Sequence, residues 1–549
     1  MPITIHALAS KCLRSLSLGL TLGLAIFASV EGLAQATATL PATPTIAPLP
    51  QAWQFGNGTL RIDPALGLRW SGKSANAEVV FMPFFDKLFG LKASPKGTSL
   101  VCKLSGTPKK MPAGFPDASY QLSVNAKGIQ IMAPTEAGLL AGCQSLLQLI
   151  SVPKTSGEAL SIPYIEIQDA PRFAWRGMHL DVSRHFYPIS FLKKYIDLLV
   201  LNKMNLFHWH LTDDQGWRIE IKKYPLLTQV GGWRKETRKW LGGSKLQDYD
   251  GRRHGGFYTQ AEVKELVVYA AQRQVTILPE IELPGHVQAL LAAYPQYGCT
   301  DQKLEVWTTW GVSKNIINPN QQSVDLFKDI LAEVMPLFPS PYIHIGGDEA
   351  AKDQWIANPA IQQQIKTLGL KDEHELQSWF IKQIEQYVNN QGKQIIGWDE
   401  ILEGGLAPNA AVMSWRGTAG GIAAAKAKHL VVMTPSQFVY FDHYQSDRKW
   451  EEPLAIGGNV SLEQVFSFDP APDSLGAAIN QYILGAQGNV WTEYIASEKH
   501  VEYMVNPRII ALSEVLWSGA NKPKDFKAFK PRCTALFNRV KALGYEGRE

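Results

Sequence analysis

Eight short apolar runs, most of them ending in polar or aromatic residues, constrain this chain more than any other feature. They occupy residues 177–182, 204–211, 275–280, 342–346, 394–398, 411–415, 429–433 and 483–489. Helical patterns separate several of them. Residues 189–201 are amphipathic. Thr259-Gln-Ala-Glu262 is a capping-box signature that opens a helix toward Ala271. Residues 323–337, 376–389 and 506–516 follow with helical periodicity. Strands that alternate with helices in this number predict a (β/α)₈ barrel, placed in an α/β fold class. The fifth and sixth strands are joined only by residues 401–410, too few for a helix with its turns, so the barrel is expected to be irregular there.

The chain is long enough for two or three domains: it has 549 residues. Residues 51–170 read as a small α+β domain ahead of a barrel that spans 171–549 with C-terminal helices. Strands are expected over 60–70 and 98–104, and a hairpin over 120–132 with Asn125-Ala-Lys-Gly128 as its turn. A helix is expected over 135–150, capped by Thr135, with Leu139, Leu140, Cys143, Leu146 and Leu147 on one face. No cluster of titratable groups falls in this domain, which suits a supporting role.

The first 36 residues read as a signal peptide. Lys11 and Arg14 flank an apolar run over 16–30, and the small residues Gly32, Ala34 and Ala36 follow. Residues 37–50 read as a linker. Export to a periplasmic or extracellular compartment is expected, without stable membrane insertion once the leader is removed. Cys102, Cys143, Cys299 and Cys533 remain, in no zinc-binding spacing, and their pairing is open. A net charge of +4 without a basic cluster argues against nucleic acid as a partner. Oligomeric state is not legible.

Barrels of this kind carry their chemistry at the C-terminal strand ends. In chain order those ends offer Asp181 and Arg184; Asp213 and Asp214; Glu280, Glu282 and His286; Asp348 and Glu349; Trp398, Asp399 and Glu400; Trp415 and Arg416; Tyr440 and Asp442; Trp491 and Glu493. This ring of carboxylates and tryptophans, with few cations, suits a neutral polyol stacked on aromatic walls. It lacks the glycine-rich loop with lysine that phosphate requires. The adjacent pair Asp348 and Glu349 suggests glycoside hydrolysis, yet neighbours cannot easily take opposite faces of one sugar ring. The blander reading of the pair is the first turn of a helix. His208-Trp-His210 opens a different class, the metal-dependent amidohydrolases, although the pair precedes its strand end and no second histidine cluster accompanies it. A sugar-binding protein without catalysis would keep the tryptophans and would not need the acid pair.

Several motifs resemble the β-N-acetylhexosaminidases of glycoside hydrolase family 20. They are HIGGDE at 344–349, FHWHLTDDQGWR at 207–218, ELPGH from Glu282, GWDE from Gly397 and NVWTE at 489–493. AGLLAGCQSLLQLI, at 137–150, resembles the small domain that precedes the barrel in that family. The resemblance implies exo-hydrolysis of terminal N-acetylglucosamine or N-acetylgalactosamine with retention, through an oxazolinium intermediate formed by the sugar's own acetamido group. It implies Glu349 as acid and base, Asp348 as the partner of the acetamido N–H, and His286 with Asp213 as a charge relay, Asp214 being exchangeable with Asp213. It implies Arg184, Asp442 and Glu493 as hydroxyl contacts, Tyr440 as donor to the acetamido oxygen, and Trp398, Trp415 and Trp491 as the wall around its methyl. No metal or cofactor is called for. Glu349 is expected to be held protonated near neutral pH by burial and nearby negative charge. The rim loops 240–257 and 302–318 would set the preferred glycan, with Trp307 and Trp310 available to a second sugar.

Overall fold

The protein is described from a computed structural model, which covers residues 43–549 apart from 73, 152–157, 240–247 and 520–524. The expected leader, the first part of the expected linker and much of the 240–257 loop lie outside the described residues. Among the described residues no helix is long and apolar enough to cross a membrane.

The first domain is a six-stranded mixed sheet carrying two helices. Its elements are β1 (Ala52–Ile62), β2 (Leu68–Gly72), α1 (Ala75–Phe89), β3 (Thr98–Leu104), β4 (Tyr120–Asn125), β5 (Gly128–Ala133), α2 (Glu136–Leu149) and β6 (Leu160–Asp169). The sheet order is β1-β6-β4-β5-β3-β2. The expected 120–132 hairpin is present, pairing Asn125 with Gly128 across its turn. Thr135 caps α2 by accepting the Gly138 N–H. Two expectations need correction. Residues 60–70 are not one strand, because Asp63 turns the chain by accepting the Ala65 N–H at its side chain and the Gly67 N–H at its carbonyl. Nor does α2 have a solvent-exposed face: every residue from Ala137 to Leu149 is buried, Gln144, Ser145 and Gln148 included. Helix α1 carries Pro83 in its interior, an unfavourable place for proline that masks the helical pattern.

Residues 43–50 are also not a free linker. Ile46 and Ala47 are fully buried. Ala47 exchanges two hydrogen bonds with the Gln148 side chain, at 2.9 and 2.8 Å. Leu49 donates its N–H to Glu514, and Arg532 donates to the Ile46 carbonyl. This stretch is therefore packed between α2 and the end of the chain.

The second domain is a closed parallel barrel. Its strands are β7 (Trp175–Asp181), β8 (Leu206–His210), β9 (Thr276–Leu283), β10 (Tyr342–Gly346), β11 (Gln394–Trp398), β12 (Ala411–Ser414), β13 (Val431–Met433) and β14 (Ile483–Gly488). Each pairs with the next and β14 closes on β7. These are the eight expected strands. Helices α3 (Ile189–Leu201), α4 (Gln260–Gln272), α5 (Gln321–Val334), α6 (Glu373–Asn390), α7 (Ala419–Lys426) and α8 (Arg508–Trp517) lie among them, and α9 (Phe526–Ala542) ends the chain. The capping box of Thr259 and Glu262 is formed in both directions. Between β11 and β12 there is only the short 3₁₀ turn Asp399–Leu402, as the length of that connection requires.

Helix α3 seats Leu192, Ile196 and Leu199 in the core, each fully buried. Truncating one of them to alanine would cost about 2–5 kcal/mol. Two further contacts fasten the domains. Asp169, at the end of β6, accepts from Tyr120 at 2.7 Å and from Trp517 at 2.9 Å. Lys203, beyond α3, meets the same carboxylate at 3.2 Å, with both side chains fully buried.

Candidate active site

The acid pair stands where β10 ends. Gly346 and Gly347 take φ of +63° and +92°, and Glu349 itself has a positive φ of +44°. At Gly346 a Cβ would meet Glu282 Oε2 at 1.7 Å, so glycine is required there. The next helix starts only at Asp353. Asp348 and Glu349 thus lie on the loop leaving the strand, not in a helical first turn, and the blander reading of the pair is excluded. His286 is also held at positive φ, +52°, on the loop leaving β9. Two such residues facing one cleft concentrate backbone strain at a functional position.

One cleft of about 360 Å³ opens at these strand ends. All eleven expected site residues line it: Asp213, His286, Asp348, Glu349, Arg184, Trp398, Trp415, Tyr440, Asp442, Trp491 and Glu493. Ser436, which opens a one-turn helix (Ser436–Val439), lines it as well, as do His443 and the 456–458 segment on irregular connections; none of them carried a signal in the sequence.

Three indoles and a phenol make a continuous wall. Trp398 and Trp491 lie 5.8 Å apart between centroids, and Trp415 stacks on Tyr440 at 6.1 Å. Trp415 donates to Glu400 at 3.0 Å and Trp398 to Glu280 at 2.8 Å, which fixes both rings. Arg184 is locked by Asp213 at 2.9 Å, by Gln215 at 2.9 Å and by stacking on Trp491. Asp348 Oδ1, Asp442 Oδ1 and Glu493 Oε2 are buried without a hydrogen-bond partner among the described residues. Oxygens of this kind facing a cleft are ready to bond ligand hydroxyls or amides.

His286 links the carboxylates. Its Nδ1 is 3.3 Å from both Asp213 and Asp214, and its Nε2 is 3.4 Å from Glu349 and 3.6 Å from Asp348. The two aspartates are thus equally near, as their exchangeability in the sequence allowed. Burial disfavours the His286 cation, but Asp213 and its neighbours override this, so the His286 pKa stands well above the ordinary range. The consequence for Glu349 is opposite to expectation. Its hydrogen bond with His286 outweighs burial and lowers its pKa. The expected effect of burial falls instead on its neighbour: Asp348 is raised to about 7, by desolvation first, with the Glu349 charge adding and His286 opposing.

His208 and His210 do not reach the cleft. Both are fully buried inside the barrel and turned to the Glu280 carboxylate. They cannot present a hydrolytic metal to a substrate, which removes the amidohydrolase reading. Trp310 is likewise buried, against His185 and Arg234, and is not available to a second sugar. Neither it nor Trp307 lines the cleft.

A parallel barrel whose strand ends gather carboxylates and tryptophans around a sugar-sized cleft defines the class of barrel glycosidases. Comparison narrows the class. A family model described as glycosyl hydrolase family 20, catalytic domain, matches residues 173–520, and one described as domain 2 of that family matches 43–170. The chain belongs to glycosyl hydrolase family 20. It is 47% identical over 437 residues to a β-hexosaminidase of Porphyromonas gingivalis, covering 78% of this chain and 54% of that protein. It is 35% identical to a β-hexosaminidase of Vibrio furnissii, covering 72% and 65%. The chain thus spans between half and two thirds of the length of these two relatives. The crystal structure of a GH20 exo-β-N-acetylglucosaminidase from Vibrio harveyi, in complex with N-acetylglucosamine, superposes with a TM-score of 0.80 at 28% identity, covering 93% of this chain and 80% of that one.

Proposed function

We propose that this protein is an exo-acting β-N-acetylhexosaminidase that removes terminal N-acetylglucosamine or N-acetylgalactosamine with retention, from an oligosaccharide or glycoconjugate. The observation that carries this reading is the adjacent pair Asp348 and Glu349 on one strand end, facing a cleft walled by Trp398, Trp415, Trp491 and Tyr440. Two acids side by side suffice when the sugar supplies its own nucleophile.

In this mechanism the acetamido carbonyl oxygen attacks the anomeric carbon as the glycosidic bond breaks. Glu349 delivers its proton to the departing oxygen. Asp348 accepts the acetamido N–H and offsets the positive charge of the oxazolinium ion. Tyr440 donates to the acetamido oxygen, and the tryptophans hold the methyl group so that the nucleophile is aimed. Water then attacks the anomeric carbon, giving its proton to Glu349 and restoring the acetamido group. Arg184, Asp442 and Glu493 hold the ring hydroxyls, which fits action on a single terminal residue.

The lowered pKa of Glu349 is compatible with its role as acid. Glu349 and His286 together hold one proton, and in the open cleft it rests on the imidazole. The Glu349 side chain is 40% exposed. A sugar in the cleft covers it, and desolvation then moves the proton toward the carboxylate. Asp213 and Asp214 keep the imidazole in place to supply it.

Export through the 1–36 leader is part of the same proposal and is supported by the charge and apolar pattern of that stretch. Mass analysis of the mature N-terminus tests it. The activity is tested with nitrophenyl β-glycosides of N-acetylglucosamine and of glucose, using wild type, Asp348→Ala and Glu349→Gln. Turnover of the N-acetyl substrate alone is expected, with a large steady-state loss in Asp348→Ala and also in Glu349→Gln, which lacks the base that activates water in the second step. Comparable turnover of the glucoside would sink the mechanism, because glucose has no acetamido group.

A further inference from the structure

Glu280 takes no part in the chemistry above and does not line the cleft, yet the site is built around it. It is fully buried near the middle of β9. Four side chains from three other strands meet its carboxylate. His210 Nδ1 lies 2.5 Å from Oε2, and His208 Nε2 lies 3.2 Å from the same oxygen. His344 Nδ1 lies 2.8 Å from Oε1, to which Trp398 also donates at 2.8 Å. Strand register produces this convergence, because Glu280 pairs with His210 on β8 and with His344 on β10.

Three of these contacts lead into the cleft. Trp398 is one of its walls. His344 lies on the strand that ends in the acid pair. His210 turns its second nitrogen to Asp213 Oδ2 at 2.9 Å, and Asp213 faces His286. The chain Glu280–His210–Asp213–His286–Glu349 is continuous from the barrel interior to the acid.

We infer that Glu280 is a positioning residue for this reaction: an anionic anchor that holds His210 against Asp213 and the Trp398 indole against the cleft. It thereby sets how much of the Asp213 charge reaches His286. The inference rests on the N-acetylhexosaminidase reading and adds residues to it.

The charges are consistent with that part. His210 has a carboxylate at each nitrogen, so it donates from both, and an imidazole that donates twice is cationic. Burial opposes the cation, but Glu280 and Asp213 override it and raise the His210 pKa to about 10. Burial would raise the Glu280 pKa, and the surrounding imidazoles hold it well below the carboxylate range instead. His208 is pushed down to about 4 by burial and stays neutral. The remaining groups facing this pair are few. His179 on β7 is neutral, its pKa held low chiefly by burial, and stands 3.9 Å from Glu280. Glu282, on β9 with Glu280, is 3.9 Å from His210. Asp181 on β7 is the register partner of His210. Arg184 shares Asp213 Oδ2 at 2.9 Å, and Asp348 acts on Glu280 through space.

Glu280→Gln keeps the shape and removes the charge. His210 then keeps one carboxylate instead of two, and its titration moves down toward neutral pH. A fall in kcat of roughly 10- to 100-fold is expected, by analogy with the groups that orient the ligands of a metal site. The pH profiles of kcat and kcat/KM should also gain an ionisation that wild type lacks. His210→Asn removes the cation from the other side and should change the profile shape without that added ionisation. Profiles of wild-type shape, merely scaled down, in variants that melt like wild type overturn the inference and leave a structural role only. A wild type that does not turn over N-acetyl glycosides overturns the reading beneath it, and this inference with it.

Discussion

His286 points Nε2 at Glu349 Oε2 from 3.4 Å, and in the mechanism proposed above the two share the proton that reaches the leaving group. Their order of titration is the reverse of a simple raised-acid arrangement, since the imidazole holds the proton and the carboxylate is lowered. On the proposed mechanism such an acid is loaded by its substrate.

Glu349→Gln should therefore affect poor leaving groups far more than good ones. With a sugar or alkyl aglycone, kcat is expected to fall by about 10²–10⁴-fold, the usual contribution of a general acid. With a dinitrophenyl aglycone, which departs without a proton, the loss in the first step should be small. Equal losses on both, in single-turnover measurements, would show that Glu349 does something other than protonate.

Asp348 predicts an acid limb. Burial, with Glu349 adding and His286 opposing, sets its pKa at about 7 in the free protein. It must be ionised to accept the acetamido N–H and to offset positive charge. Falling pH protonates it, so kcat/KM should decline below about pH 7 and level off above it. In kcat the limb should lie lower, because the bound N–H favours the charged form. Asp348→Asn should abolish the limb. A wild-type kcat/KM that is flat through neutrality contradicts the assignment.

Glu282 predicts a pH-dependent stability. Both its carboxyl oxygens are buried without a hydrogen-bond partner among the described residues, His210 standing 3.9 Å away. Burial first, then the Asp348 and Glu280 charges, raise its pKa well above the ordinary range. A carboxyl raised in the folded state stabilises the protein below its unfolded pKa, and that stability is lost as pH rises toward the folded value. Glu282→Gln suffers no such loss. The melting-temperature difference, variant minus wild type, should grow from acid to alkaline pH. Parallel pH dependences would mean that the carboxyl has a partner in solution.

Asp169→Ala should destabilise the chain by about 3–5 kcal/mol, because it leaves Lys203 charged and buried without its partner. The double variant with Lys203→Met should recover much of this. Thermal unfolding of the three variants beside wild type measures the coupling. Additive losses would show that the pair is not coupled.

The barrel was legible because buried strands write themselves as short apolar runs, and all eight were readable. So were the eleven cleft residues, since strand ends and the family's motifs coincide. What could not be read was the balance of forces among groups brought together from distant positions. The proton sits on His286 because Asp213 and Asp214 converge on it, and no local pattern in ELPGH shows that. Trp310 looked available because an indole in a rim loop looks exposed, while Arg234 and His185 in fact cover it. Pro83 hid α1, and the prolines of 43–50 (Pro44, Pro48 and Pro50) hid a packed segment. Glu280 was visible as a strand-end acid, but its role as a hub depends on the register of four strands.

The seating of residues 43–50 has a consequence for the order of events on the ribosome. Leu49 bonds to a side chain 465 positions later, and Ile46 to one 486 positions later. The stretch that emerges early must wait for nearly the whole chain to be synthesised before its partners exist. Residues 46–49 can thus be fastened to Glu514 and Arg532 only once the barrel sequence between them has been made.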